Sequence, residues 1–109
     1  MQDTPAPDIQ QMRAAAGEAT AMLRSLAHED RLLLLCQLSQ AELCVSELQD
    51  QLDIQQPSLS QQLGVLRRQG LVNTRREGKH IYYSVAEPRA LCLLHTLYEL
   101  FCNQPEASQ

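Results

Sequence analysis

The strongest constraint on the fold is a segment with a clear start, a clear end and two unlike faces. Pro57 suits the first position of a helix, and Gly70 suits the position just past its end. Between them one apolar stripe with helical spacing is formed by Leu59, Leu63 and Leu66. The opposite side carries Ser60, Gln61, Gly64 and Arg68. The pattern predicts a helix with a buried side and a polar outer face.

The sequence around this helix predicts a winged helix-turn-helix. A short helix over 45–52 and the connection 53–56 precede it, which is the arrangement of a helix-turn-helix. Two alternating segments follow, 71–76 and 80–85, joined by the glycine-containing turn 77–79. Such a pattern indicates a β-hairpin, which would form the wing.

Three further helices complete the predicted fold. Helical periodicity covers 9–26, 29–39 and 89–103, so the fold is mainly α with a β-hairpin wing, in the order α-α-α-α-β-β-α. The predicted domain is 9–103, between tails at 1–8 and 104–109. The second helix is apolar nearly all round, which predicts burial. The first has small apolar residues, which suit either a core helix or a contact with another subunit.

Several functional classes are not expected. The sequence has no apolar run of about 18 residues and no secretory signal pattern, so we expect a soluble, cytoplasmic protein without a membrane partner. It contains no phosphate-binding loop, nucleophile elbow or zinc-protease motif. We therefore expect neither an enzyme nor a cofactor.

The charge distribution favours a DNA-binding surface. The net charge is −4, yet five of the nine Lys and Arg residues fall within 67–79. Phosphates respond mainly to charge within about 8–10 Å at physiological salt, so a local basic face can bind DNA on an acidic protein. An ordinary solvated surface, or a winged helix that binds another protein, is the alternative interpretation.

Four sequence motifs resemble those of ArsR-type winged-helix repressors. They are LAHEDRL at 26–32, ELCVSEL at 42–48, QPSLSQQLGVLRRQGLV at 56–72 and RREGKHIYY at 75–83. The resemblance covers roughly residues 20–102, in the same order. It implies a homodimer built on the first and last helices, which places the fourth helix of each subunit in the major groove of an inverted-repeat operator.

The same resemblance assigns residues to DNA. Positions that read bases correspond to Gln56, Ser58, Ser60 and Gln61. Phosphate contacts are assigned to Arg67, Arg68, Arg76 and Lys79. Gln62 is expected to be a weaker contact, because it leans toward the buried side of its helix.

The cysteines bear on the signal that the protein senses. The sequences around Cys36 and Cys102 resemble the sulfide-responsive BigR/SqrR-like branch, which implies a dithiol that reactive sulfur species or an oxidant converts to a disulfide or polysulfide bridge. Taken alone, an apolar run around Cys36 and a helix C-terminus near Cys102 both disfavour the thiolate. The resemblance thus predicts a repressor that oxidation releases from its operator.

Metal sensing is the alternative, with zinc or arsenite as the inducer. Family members often bind metal through a Cys-x-Cys motif, but the matching positions here are Cys44 and Ser46. His95 and Glu99 lie four apart on the last helix without the further ligands that zinc normally takes. We therefore assign no metal site, and expect Cys44 and Cys92 to be small buried apolar residues.

Overall fold

A computed structural model describes residues 8–102 of the chain. The helices are α1 (Ile9–Leu26), α2 (Glu29–Leu38), α3 (Val45–Leu52), α4 (Ser58–Arg68) and α5 (Pro88–Phe101). The strands are β1 (Leu43–Cys44), β2 (Val72–Glu77) and β3 (His80–Val85). The predicted winged helix-turn-helix is confirmed. The predicted tails lie outside the described residues, except for Asp8, and so does the predicted end of the last helix at residue 103.

Local signals mark the starts of α1 and α5 and the end of α4. Asp8 accepts a hydrogen bond from the backbone N–H of Gln10, and Glu87 accepts one from that of Arg89, so a carboxylate caps α1 and α5. Gly70 has a φ of 73°, the left-handed conformation expected just past a helix. Pro57 lies one residue before α4 instead of at its first position.

The core lies where α2, α3, α4 and α5 meet. The largest fully buried side chains are leucines, namely Leu34, Leu35, Leu48, Leu59, Leu63, Leu66 and Leu94. The predicted stripe of α4 is therefore the side that packs inward. Helix α2 is less buried than predicted, because Leu33 remains 40% exposed.

The sheet has three antiparallel strands in the order β1-β3-β2. In the hairpin Glu77 pairs with His80, so the turn contains only Gly78 and Lys79, and Gly78 has a positive φ. Strand β1 was not predicted. It pairs Leu43 with Tyr83, which ties the segment before α3 to the wing. Among the described helices, none has the length and apolar character needed to cross a bilayer.

Candidate nucleic-acid interface

The outer face of α4 is open and polar. Gln56, Ser60 and Gln61 are all exposed. The side-chain oxygen of Gln56 accepts a hydrogen bond of 3.1 Å from the backbone N–H of Ser60, so it caps the start of α4. This bond uses the carbonyl end of the Gln56 amide. The exposed Gln61 carries an amide, which can pair with adenine through two hydrogen bonds.

The predicted base contact Ser58 and its neighbour Gln62 lie at the inner edge of α4. The hydroxyl of Ser58 is half-buried and donates to Asp30 Oδ2 over 3.3 Å. Gln62 is half-buried and accepts a hydrogen bond of 3.1 Å from Arg31. The inward lean predicted for Gln62 is therefore confirmed, and both side chains are bonded to α2.

Exposed basic side chains lie in the last turn of α4 and on the wing. Arg67 and Arg68 are exposed in the last turn of α4. Arg76 and Lys79 are exposed on the wing. The four residues assigned to phosphates thus all lie on the surface, where long cationic side chains can reach a DNA backbone.

Arg75 differs from the other cations of this segment. Its Nε and Nη2 donate to Glu42 at 2.8–3.2 Å, and its Nη1 donates to Glu77 Oε1 at 2.6 Å. The guanidinium also lies 4.9 Å from the centroid of the Tyr82 ring. These hydrogen bonds lower the pKa of the Glu42 carboxyl and raise the pKa of Arg75. Arg75 therefore links the wing to the residue before β1, and its guanidinium donates to two carboxylates.

Two helices present apolar side chains to solvent. On α1, Ile9 is 62%, Met12 48% and Leu23 54% exposed. On α5, Tyr98, Leu100 and Phe101 are at least half exposed. These side chains are the candidate surface for a contact with another molecule.

The thiols of Cys36 and Cys102 line one apolar groove between α2 and α5, 66 sequence positions apart. The groove is also lined by Leu32, Leu33, Gln37, Gln40, Leu97, Tyr98 and Phe101. Cys36 is half-buried and Cys102 is exposed, and both are free thiols. Burial raises the pKa of Cys36, and the neighbouring Cys102 raises it further. The apolar run around Cys36 thus has the predicted effect of disfavouring its thiolate.

The other two cysteines differ in their surroundings. Cys44 is buried, as predicted. The prediction for Cys92 is wrong, because its side chain is exposed. Helix α5 turns Ala90 and Leu94 into the core, and Cys92, midway between them, faces away by about 200° from each.

His95 and Glu99 are the pair considered above as possible metal ligands. They line a small recess together with Cys36. His95 is exposed on the helix surface. Within residues 8–102, no three His, Cys, Asp or Glu side chains are grouped as metal ligands would be.

Comparisons with known proteins point to one family. The family described as "Bacterial regulatory protein, arsR family" matches residues 28–74, which extend from α2 into β2. The biofilm growth-associated repressor of Agrobacterium fabrum is 52% identical over 95 residues, which are 87% of this chain and 81% of that protein.

Solved structures share the fold over most of the chain. The transcriptional repressor BigR from Xylella fastidiosa superposes with a TM-score of 0.81 at 44% identity, covering 91% of this chain and 98% of that one. A homodimeric winged helix-turn-helix DNA-binding domain from Mycobacterium bovis gives a TM-score of 0.69 at 26% identity, covering 90% and 89%.

Proposed function

Since this chain belongs to the arsR family of bacterial regulatory proteins, we propose that it is a homodimeric transcriptional repressor that reactive sulfur species release from an inverted-repeat operator. The observation that carries the proposal is the outer face of α4, which is exposed, polar and flanked by cations. Solvent exposure alone does not explain why Arg67 and Arg68 lie at one end of this face and a basic wing follows it.

Bases are read by α4, and phosphates are held at its margins. Ser60 and Gln61 are exposed in the first turns of α4, where they meet base edges in the major groove. Gln56, just before α4, contacts a flanking base or sugar through its amide N–H groups, and Ser58, whose hydroxyl donates to Asp30, accepts a hydrogen bond from the DNA. Arg67, Arg68, Arg76 and Lys79 bind phosphates, which fixes the orientation of α4 without reading sequence.

Dimerisation supplies the second half of the reading surface. The exposed apolar side chains of α1 and α5 lie on helices outside the helix-turn-helix, so a second copy can cover them without touching α4. A two-fold dimer then presents two α4 helices to half-sites about one turn of DNA apart.

The dithiol forms the switch. The exposed Cys102 thiolate attacks the sulfane sulfur of a persulfide RSSH, which gives Cys102–S–SH and releases the thiolate RS⁻. The Cys36 thiolate then attacks the Sγ atom of Cys102, which forms the Cys36–Cys102 disulfide and releases the outer sulfur as HS⁻. If both cysteines carry persulfides, the same attack gives a trisulfide and HS⁻. The two thiols lose two electrons, and the sulfane sulfur gains them.

A bridge between Cys36 and Cys102 changes the position of α5 relative to α2. Cys102 ends the helix that forms the dimer, whereas Cys36 belongs to the helix that packs on α3 and α4. Drawing the two sulfurs to the bonding distance of about 2.05 Å strains this packing and moves the two α4 helices out of register with the DNA.

The test is operator binding, measured by fluorescence anisotropy with reduced, tetrasulfide-treated, peroxide-treated and zinc-loaded protein. Tetrasulfide should abolish specific binding in the wild type and in Cys92→Ser, which keeps both groove thiols. After the same treatment, Cys36→Ser and Cys102→Ser should still bind the operator. Mass spectrometry of the intact protein detects the bridge between Cys36 and Cys102. Loss of binding with zinc alone would favour the metal-responsive alternative, and equal responses of all three cysteine variants would refute the dithiol.

A further inference from the structure

The end of α1, the start of α2 and one edge of α4 meet around a single side chain, Arg31. Its Nε donates to the backbone oxygen of Ser25 over 2.7 Å, and its Nη2 donates to that of Arg24 over 3.2 Å. Its Nη1 donates to Gln62 Oε1 over 3.1 Å. One guanidinium therefore joins the C-terminus of α1 to α4.

This arrangement uses properties that are particular to arginine. The last carbonyl groups of a helix lack intrahelical donors and carry partial negative charge, so a cation there is favourable. A planar guanidinium with five N–H donors can serve two carbonyl oxygens and an amide at once, whereas a lysine ammonium offers no such fixed fork.

Two more hydrogen bonds hold the same edge of α4. Ser58 donates to Asp30, the residue before Arg31, and Ser25 bonds to the side-chain oxygen of Gln69. Positions 58, 62 and 69 fall within about 40° of one another around the α4 axis, since each residue advances by about 100°. We call these six residues the junction network: Ser25, Asp30, Arg31, Ser58, Gln62 and Gln69.

Outside the junction network, α1 is held by Leu26 and Met22, which pack against the core, and by the exposed ion pair of Glu18 with Arg89 of α5 at 3.3 Å. Of its 18 residues, Ser25 and Leu26 are the buried ones. Its length is about 27 Å at 1.5 Å per residue, so a 10° change of its angle at the junction moves its far end by about 5 Å. That displacement exceeds the 3.4 Å rise of a base pair.

We infer that Arg31 is a positioning residue that sets the angle between the dimer-forming helix α1 and the recognition helix α4, and thereby the half-site spacing that the dimer accepts. The inference rests on the proposed function, because it requires a dimer on an inverted repeat. Arg31 is half-buried, and each of its three guanidinium nitrogens donates to a protein oxygen, so we expect it to act without touching DNA.

The experiment measures Kd on inverted repeats whose half-site separation differs by single base pairs, and on a duplex with one half-site. The variants are Arg31→Met, Arg31→Lys and Gln62→Leu. The matched control is Arg24→Met, which removes the same charge from an exposed side chain next to Ser25 and leaves the backbone acceptor of residue 24 in place. Sedimentation and thermal unfolding check that each variant is a folded dimer.

Wild type and Arg24→Met should bind the best spacing about tenfold or more tightly than its neighbours, since each 1.4 kcal/mol of misfit is tenfold in Kd. Arg31→Met and Arg31→Lys should flatten this preference to about threefold or less, with unchanged Kd on the single half-site. If Arg31→Met does not fold, Gln62→Leu decides, because it removes the contact of Arg31 to α4, and its Kd on the single half-site separates that loss from the loss of a direct DNA contact. A wild-type spacing profile in the folded variants would overturn the inference. Failure of the wild type to bind any inverted repeat would instead overturn the proposed function.

Discussion

Arg75 and Arg76 are neighbours on the wing, but their surroundings predict opposite roles in DNA binding. Arg76 is exposed, whereas Arg75 is held between Glu42 and Glu77 at 2.8 and 2.6 Å. Each phosphate contact makes the negative slope of log K against log salt concentration steeper by about 0.9, because it releases condensed counterions. A dimer carries two copies, so Arg76→Gln should reduce the slope by about 1.8.

That slope corresponds to a large and measurable effect. Between 50 and 200 mM salt, the affinity ratio of wild type to Arg76→Gln should shrink about twelvefold. The matched variant is Arg75→Gln combined with Glu42→Gln, which removes one cation and one anion together. We expect its slope to equal that of the wild type within about 0.5, because no phosphate contact is lost.

Anisotropy titrations of one operator at four or five salt concentrations give both slopes. Equal losses of slope in the two variants would refute the reasoning, because they would mean that Arg75 leaves its carboxylates to bind phosphate. An unchanged slope in Arg76→Gln would remove Arg76 from the DNA contacts.

Three further outcomes are expected. Leu59→Ala should cost about 2–5 kcal/mol in the free energy of unfolding, because the side chain is fully buried; urea denaturation measures it, and a loss below 1 kcal/mol would contradict the packing. Leu23→Glu should give monomers in sedimentation, whereas a stable dimer would show that α1 is not the interface. Because the pKa of Cys36 is raised, the rate of its alkylation should rise about tenfold per pH unit between pH 7 and 8.5, and peptide mass spectrometry measures this rate. A rate that levels off below pH 8 would be inconsistent with the raised pKa.

Local signals in the sequence predicted helix α4 and the hairpin turn well. Pro57, Gly70 and the leucine spacing place α4 within a residue of its bounds, and Gly78 places the hairpin turn, because boundary residues and periodicity act over a few positions.

The contacts that the sequence could not predict join distant parts of the chain. Glu42 meets Arg75 across 33 positions, and Arg31 meets Gln62 across 31. Strand β1 has two residues, too few for alternation to be recognised. The exposure of Cys92 depends on how α5 is rotated against the core. The spacing of apolar residues along α5 did not fix that rotation.

The most direct test of the central claim is selection from a random duplex DNA library by the reduced protein and by Gln61→Ala. The account predicts that the wild type enriches an inverted repeat with half-site centres about 10 base pairs apart. Gln61→Ala should keep the two-fold symmetry and lose base preference at one position in each half-site. Enrichment of no inverted repeat by the wild type, or of an identical motif by Gln61→Ala, would contradict the claim that α4 reads the operator.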